Sequence, residues 1–392
     1  METTVSKHIN NNQEIAPGDV LSAAILSGIA VIMFNAMPLY VGVVAEGLSL
    51  SNQEVGLLAS SYFLGHTLAA LSVLLWIRRV NWRRVAMMTS ALVAAGFFIA
   101  AQAHAYWLIS GVLFCSGLAG GVLYVTAMTS LGSSRDSERS YGWGSVCQVG
   151  FGALVLFSFP VWVIPLWGHQ GVTIGFAALF CIGVLFSRWL PEADRKQRTE
   201  TAWRWGTVMR PLASLTALFL FFTGTAGVWA FIERYGASAN FSPHFIGTSL
   251  SIAMVSGGVG SLVPATIGSR YGRIKPMCIA GLVMLAVIWL VGLVSSQWVY
   301  GVGLAVYQFC WTVVLVYLWA DIAANDATGH FTPLTPAAMG VGAVVGPGLA
   351  GWLTSENYFS LFPLVTVTTF CSLLVILWAT AISSKVGSIP ET

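Results

Sequence analysis

PEADRKQRTETAWRWGTVM, residues 191–209, is the one long polar stretch in a chain of 392 residues, and it lies almost midway. Around it the chain is apolar: 56% of its residues are hydrophobic and only 8% charged, with a mean hydropathy of +0.78. A soluble globular domain carries about 25% Asp, Glu, Lys and Arg, so a soluble enzyme is excluded. So much apolar surface has no soluble core to hide in, and 16 Trp with 41 Gly suit headgroup belts and close helix contacts in lipid. The polar stretch therefore reads as a linker, residues 191–210, between two membrane-embedded halves.

Moving outward, apolar windows fall at about 20–43, 54–77, 84–104, 106–129, 141–164 and 170–190 before the linker. After it they fall at about 211–233, 243–267, 276–296, 298–320, 334–355 and 358–382. Each approaches the roughly 20 residues that a tilted helix needs to span a bilayer, and far exceeds the ten-residue alternating segments of a membrane barrel. The expected fold is all-α and polytopic: twelve transmembrane helices in two pseudo-symmetric six-helix bundles, 20–190 and 211–383, with polar tails at 1–19 and 384–392. The spans leave roughly 150 residues for loops and tails, too few for a sizeable soluble domain. The first twenty residues, with Asn10, Asn11, Asn12 and Gln13, lack the apolar stretch and cleavage site of a secretory signal.

Placing the N-terminus inside puts 17 of the 18 Lys and Arg on the cytoplasmic side, Arg234 being the exception, and returns the C-terminus to the same side. These cations sit between spans rather than on a patch, so nucleic acid is not an expected partner. The cysteines at 115, 147, 181, 278, 310 and 371 lie inside apolar runs with no CxxC spacing and no His in ligand register. Neither a disulfide, a metal site nor a cofactor is expected.

Two short basic loops recur at an offset of about 191 residues. Arg78-Arg79-Val80-Asn81-Trp82-Arg83-Arg84 follows the second window, and Ser269-Arg270-Tyr271-Gly272-Arg273 follows the eighth. With the topology, they resemble the GxxxDRxGRR signature of the major facilitator superfamily, which implies a twelve-helix secondary transporter, here bacterial and of the inner membrane. In that family the loop contacts neighbouring helix ends and sets the inward/outward equilibrium, its Asp serving as a charged partner. Here Arg78 and Ser269 stand in place of the Asp, Asn81 in place of the second Gly and Leu74 in place of the leading Gly. The basic residues Arg78, Arg79, Arg83, Arg84, Arg270 and Arg273 are then expected to meet helix C-terminal dipoles or anionic headgroups.

The eleventh window, with Gly340, Gly342, Gly346, Pro347, Gly348 and Gly351, resembles the GxxxGPxxGG motif that antiporters of the superfamily carry in their fifth helix. Glycines at four-residue spacing let backbones approach, and a proline removes a hydrogen bond and permits a bend, which marks Gly346 and Pro347 as conformational residues. The fifth window itself, with Gly142, Gly144, Gly150 and Gly152, has no Gly-Pro pair. Segments 229–236 and 326–330 are similar to segments of a bacterial branch of the superfamily.

Ionisable residues inside spans are rare and expensive, which singles out His66 near the centre of the second window. It reads either as a protonation switch or as a neutral imidazole hydrogen-bonded to backbone or hydroxyl. Glu233 and Arg234 end the seventh window, and adjacent helical residues point about 100° apart, so they need different partners. Glu233, one turn from Trp229, reads as a proton-coupling carboxylate. Arg234 reads as an anchor for a carboxylate substrate, or as an interfacial residue reaching for headgroups.

Asn35 precedes Pro38, which frees the carbonyl of Phe34 and leaves a polar group needing a partner. Gln148 shares a helical face with Gly144 and Gly152, and Gln308 lies one turn from Trp311. These side chains and Tyr307 read as solute contacts from both halves, or as interhelical hydrogen bonds. Tyr124, Thr126 and Tyr317 rank below them. Asp321, at the inner end of the tenth window, would oppose the helix dipole unless paired, and reads as a gate contact with an Arg from another loop.

No GxxxxGK[ST], HExxH or GxSxG occurs, so ATP-driven transport and metalloprotease chemistry lack sequence support. The reading that follows is a non-enzymatic, proton-coupled symporter, monomeric in the bilayer, moving a small organic solute that is amphipathic or aromatic and in one version a carboxylate. A proton-coupled exporter of hydrophobic compounds and a non-transporting sensor or scaffold are the alternatives.

Overall fold

A segment in hydrocarbon must satisfy its own backbone, and in a computed structural model the apolar windows are accordingly helical. The structure describes residues 17–77, 79–133, 137–192, 208–267, 270–326, 331, 334–355 and 357–386. Among them there is no strand. Arg78, Ser269 and nearly all of the linker and tails, as well as residues 327–330, lie outside the described residues.

The helices are α1 (Pro17–Ala30), α2 (Ile32–Asn35), α3 (Met37–Leu48), α4 (Asn52–Trp76), α5 (Trp82–Gln102), α6 (Tyr106–Gly132), α7 (Ser137–Ser158) and α8 (Ile164–Ser187) in the first half. The second half holds α9 (Met209–Ser238), α10 (Pro243–Gly260), α11 (Leu262–Ile267), α12 (Ile274–Leu293), α13 (Gln297–Asn325), α14 (Thr335–Leu353) and α15 (Leu361–Val386). Ten described helices are long and apolar enough to span a membrane, where the sequence reading counts twelve, and both departures have local causes. The first window is cut at Val31 and Ala36 into α1, α2 and α3, Pro38 lying in the first turn of α3. The fifth and sixth windows fuse into one 45-residue run, Trp143–Ser187, through a π-helical turn at Phe159–Val163.

That run crosses twice. Gly144 packs beside Ser27 and Gly152 beside Asn35, so α7 runs alongside the first window; Gly47 packs against His169, and the Ser22 hydroxyl donates to the carbonyl of Phe186, so α8 runs back. The reversal falls at Gly168, whose φ of 54° and ψ of −143° break the helix. A left-handed φ of this kind is inexpensive only for glycine.

Helix pairing repeats between the halves. α4 packs on α6 as α10 packs on α13, and α5 packs on α6 as α12 packs on α13. α9 takes α14 and α15 as partners, where α1 takes α7 and α8. Across the seam, α4 meets α14 and, in the corresponding positions, α10 meets α7. The glycines of α14 serve this double contact: Gly342 and Gly346 lie against the α9 backbone at Phe219 and Thr223, while Gly351 lies against Asn52 and Gly56 of α4.

Candidate functional site at the seam between the halves

Which side chains face inward follows from helical angle. On α4 the exposed Leu57, Leu64, Leu68, Leu71 and Leu75 form one stripe, and His66 is about 200° from Leu64, opposite the lipid. The same reckoning sets Trp311 about 180° from the exposed Val302 on α13, and Gln148 about 200° from Val146 on α7. Yet His66, Trp311 and Gln148 are each only part-buried, as are Phe34, Asn35 and Tyr124. Residues that turn from lipid and still keep exposure border interior space.

Phe222, Trp229 and Glu233 fall at i, i+7 and i+11 of α9, a single face, and that face meets the first half along its whole length. The Phe222 ring lies 6.2 Å from that of Phe34. One level on, the Trp229 indole N–H donates to the carbonyl of Asn35 at 3.2 Å, and the Asn35 amide donates to the carbonyl of Gln148 at 2.9 Å. The bend before Pro38 thus does present a carbonyl to the other half, but that of Asn35 and not Phe34, because the helix already breaks at Ala36. Beyond it, the Glu233 carboxyl presses on Gly42 of α3, where any Cβ would collide with it, and its Oε2 is enclosed with no hydrogen-bond partner.

Around this face a track of rings crosses the seam. Tyr124 and His66 have centroids 5.6 Å apart, His66 and Tyr62 6.4 Å, Tyr62 and Phe63 5.9 Å, and Phe63 and Phe34 5.2 Å. After Phe34 and Phe222 it ends on Trp311, 5.8 Å from Phe222. His66 therefore sits between two tyrosines with Nε2 enclosed and unpartnered, and the hydroxyl of the fully buried Tyr62 is unpartnered too. Sequence reasoning ranked Tyr124 low and passed over Phe34, Tyr62, Phe63 and Phe222; the i, i+7 spacing of Phe222 and Trp229 was the signal available for one of them.

Gln148 reaches the Ser27 hydroxyl at 3.4 Å, longer than the usual 2.9–3.0 Å, and the Met128 sulfur, a weak acceptor, at 3.7 Å. Gln308 is 9% exposed and packs on Gly257, and Tyr307 is buried with its hydroxyl unpartnered, so neither joins the ring track.

Arg234 has a partner across the chain. Its Nε donates to the Tyr358 hydroxyl at 3.0 Å, that hydroxyl donates to Asn52 Oδ1 at 2.9 Å, and the Asn52 amide donates to the carbonyl of Thr354 at 2.7 Å. This chain of bonds ties α9 and the segment after α14 to α4 of the first half, at the face where α4 begins and α9 ends. The Ser60 hydroxyl, donating to the Val344 carbonyl at 2.7 Å, continues the closure inward.

At the face where α1 and α9 begin, Asp321 accepts from Arg210 Nη2 at 3.1 Å and from the Ser214 hydroxyl at 2.7 Å. Its partner is an Arg, as expected, but one in the first turn of α9; the pair pins α9 to α13 inside one half and is not a clasp between halves. Arg83 donates from Nε to the carbonyl of Leu190, just past the end of α8, at 3.0 Å, and lies 3.6 Å from Glu192, which is the helix-end role expected for that loop. Asn81, in the place of a motif glycine, caps α5 by accepting from the backbone N–H of Arg84 at 3.0 Å. Arg79 donates its backbone N–H to Trp76, Arg270 lies over the Tyr271 ring, and Arg273 is the residue before α12. Pro347 is inside α14, its carbonyl against Gly56.

Solved structures share this architecture. The nucleoside transporter NupG aligns over 92% of this chain and 98% of its own with a TM-score of 0.70 at 15% identity. The POT family transporter PepTSo aligns over 94% and 98% with a TM-score of 0.70 at 11% identity. A bacterial homolog of the human lysosomal transporter Spinster, inward-facing and occupied, aligns over 93% and 96% with a TM-score of 0.68 at 13% identity. No curated protein matches the chain by sequence. The Major Facilitator Superfamily profile matches residues 20–332, most of the length and both sides of the seam. A helical fold of membrane-length apolar spans, packing that repeats between its halves and this sequence match lead to one assignment: the chain belongs to the Major Facilitator Superfamily, as a transporter and not an enzyme.

Proposed function

We propose that the protein carries a small organic solute, amphipathic or aromatic, through the interior between units 20–190 and 211–383, in symport with protons. The observation that carries this reading is the set of inward-turned but part-exposed residues His66, Tyr124, Gln148, Phe34 and Trp311, contributed by both halves. The fold supplies the rocking of two units joined by the 191–210 linker. With the basic face cytoplasmic, as charge placement favours, the Arg234–Tyr358–Asn52 chain closes the outer side of a monomer in the bacterial inner membrane.

Glu233 is the coupling residue of this proposal. In the closed arrangement its carboxyl is shut against Gly42 with one oxygen unpartnered, and parting of the halves on that side would expose it to water. An ionised carboxylate held without a partner in such a seat is costly, so proton binding and closure belong together. His66, enclosed between rings deeper in the first half, is the second proton candidate. Arg234, engaged with Tyr358, is the gate and not the anchor for a carboxylate.

Reconstituted protein with an imposed pH gradient tests this. Glu233→Gln should abolish pH-driven accumulation while sparing exchange down a solute gradient, and His66→Ala should reduce it. Unchanged pH-driven uptake in both would remove protons from the mechanism, and reversal of its sign would make the protein an exporter. Absence of flux for every solute tried would favour a sensor or scaffold.

A further inference from the structure

The charge map of the interior narrows the solute. Every described Lys or Arg lies in a connecting segment or within four residues of a helix end: Arg83 and Arg84 open α5, Arg210 opens α9 and Arg234 is four residues from the end of its helix. Three of these are already committed, Arg83 to Leu190 and Glu192, Arg210 to Asp321 and Arg234 to Tyr358. At the depth of the ring track the described residues therefore offer a solute no fixed cation. They offer no fixed anion either, since Glu233 is seated beyond Trp229 against Gly42.

What that depth does offer is π surface and one loosely held amide. Phe34, Tyr124 and Trp311 present part-exposed rings from α2, α6 and α13, with centroid spacings along the track of 5.2 to 6.4 Å, the range in which aromatic rings attract one another. The Gln148 amide donates to the Ser27 hydroxyl at a long 3.4 Å and to the weakly accepting sulfur of Met128, hydrogen bonds that are easily exchanged for better ones. An ion entering this space would lose water and meet no fixed counter-charge, His66 being charged only while it carries a proton, whereas a neutral ring would gain stacking and an edge hydrogen bond.

We infer that the solute is an uncharged, planar aromatic or heteroaromatic molecule with a polar edge, stacked on Phe34 and Trp311 and hydrogen-bonded at that edge by Gln148. This rests on the transport reading above and excludes its carboxylate version.

The test uses four probes of one shape on the purified full-length protein: benzamide, benzoate, benzamidinium and cyclohexanecarboxamide, compared by ligand-induced thermal stabilisation and by counterflow in proteoliposomes. Benzamide should bind about tenfold more tightly than either ion. It should exceed cyclohexanecarboxamide by about fivefold, a margin that Trp311→Leu and Phe34→Leu should each erase. The order of probes on the wild type requires no variant, so misfolding of a variant leaves the inference testable. Equal or tighter binding of benzoate or benzamidinium overturns the neutral class, equal binding of the cyclohexane analogue overturns stacking, and no binding by any probe overturns both. Binding in the expected order without counterflow would keep the solute class and overturn transport.

Discussion

Tyr358→Phe removes one oxygen and, with it, two bonds of the outer closure. The hydroxyl accepts from Arg234 Nε at 3.0 Å and donates to Asn52 Oδ1 at 2.9 Å, and all three residues are only half-buried. A hydrogen bond to a charged group contributes about 1.5–3 kcal/mol and a neutral one about 0.5–1.5, and partial exposure places both near their lower ends. The sum is about 2 kcal/mol, present only while this face is shut because the parted groups would be hydrated. The equilibrium should therefore shift toward opening by about 30-fold. Val55, fully buried one turn inside Asn52, is the reporter: with the native cysteines replaced, Val55→Cys should react slowly with a hydrophilic maleimide and about 30-fold faster when Tyr358→Phe is added. Asn52→Ala should act in the same direction, since it also frees the carbonyl of Thr354. Alkylation rates within twofold of the parent in both variants would refute the clasp and leave these bonds as local structure.

Gly42→Ala should loosen the same face by a different route, because the added methyl displaces the Glu233 carboxyl, the movable end of its side chain, at about 1 kcal/mol, the low end of overpacking costs. Val55→Cys alkylation should speed up accordingly and return to the parent rate when Glu233→Ala restores the space; an unchanged rate would show that the seam yields at no cost. Asp321→Ala leaves Arg210 with its partner gone in a site where the two side chains are 17% and 3% exposed, a loss of about 3 kcal/mol. Its melting temperature should fall while the Val55→Cys rate stays constant, since the pair lies within one half; a faster rate would make it a gate after all.

Much of this was legible in the chain because lipid leaves a backbone few choices. A run of about 20 apolar residues must be a helix, and the angle between His66 and the leucines of its window determines that the imidazole points inward before any neighbour is known. Glycines at four-residue spacing in 340–351 foretold close backbones. Where the chain breaks was less legible. Gly168 is one of 41 glycines, and nothing local distinguishes the one that takes a left-handed φ and turns the chain back.

Partnership is what tertiary structure alone decided. Trp229 meets Asn35 across 194 residues, Asn52 meets Tyr358 across 306, and Arg234 meets Tyr358 across 124. Helical periodicity tells which way a side chain faces and not what stands opposite, so the sequence called for partners for Arg234 and Asp321 without saying whether they lay within a half or across the seam. Tyr358 carries no signal of its own; its hydroxyl matters because packing of α9, α14 and α4 brings a guanidinium and an amide to it. Local chemistry chose the elements and their inward faces, and the long-range fit of two similar halves chose which inward faces met as an Arg234–Tyr358–Asn52 chain of bonds, a carboxyl seat and a track of rings.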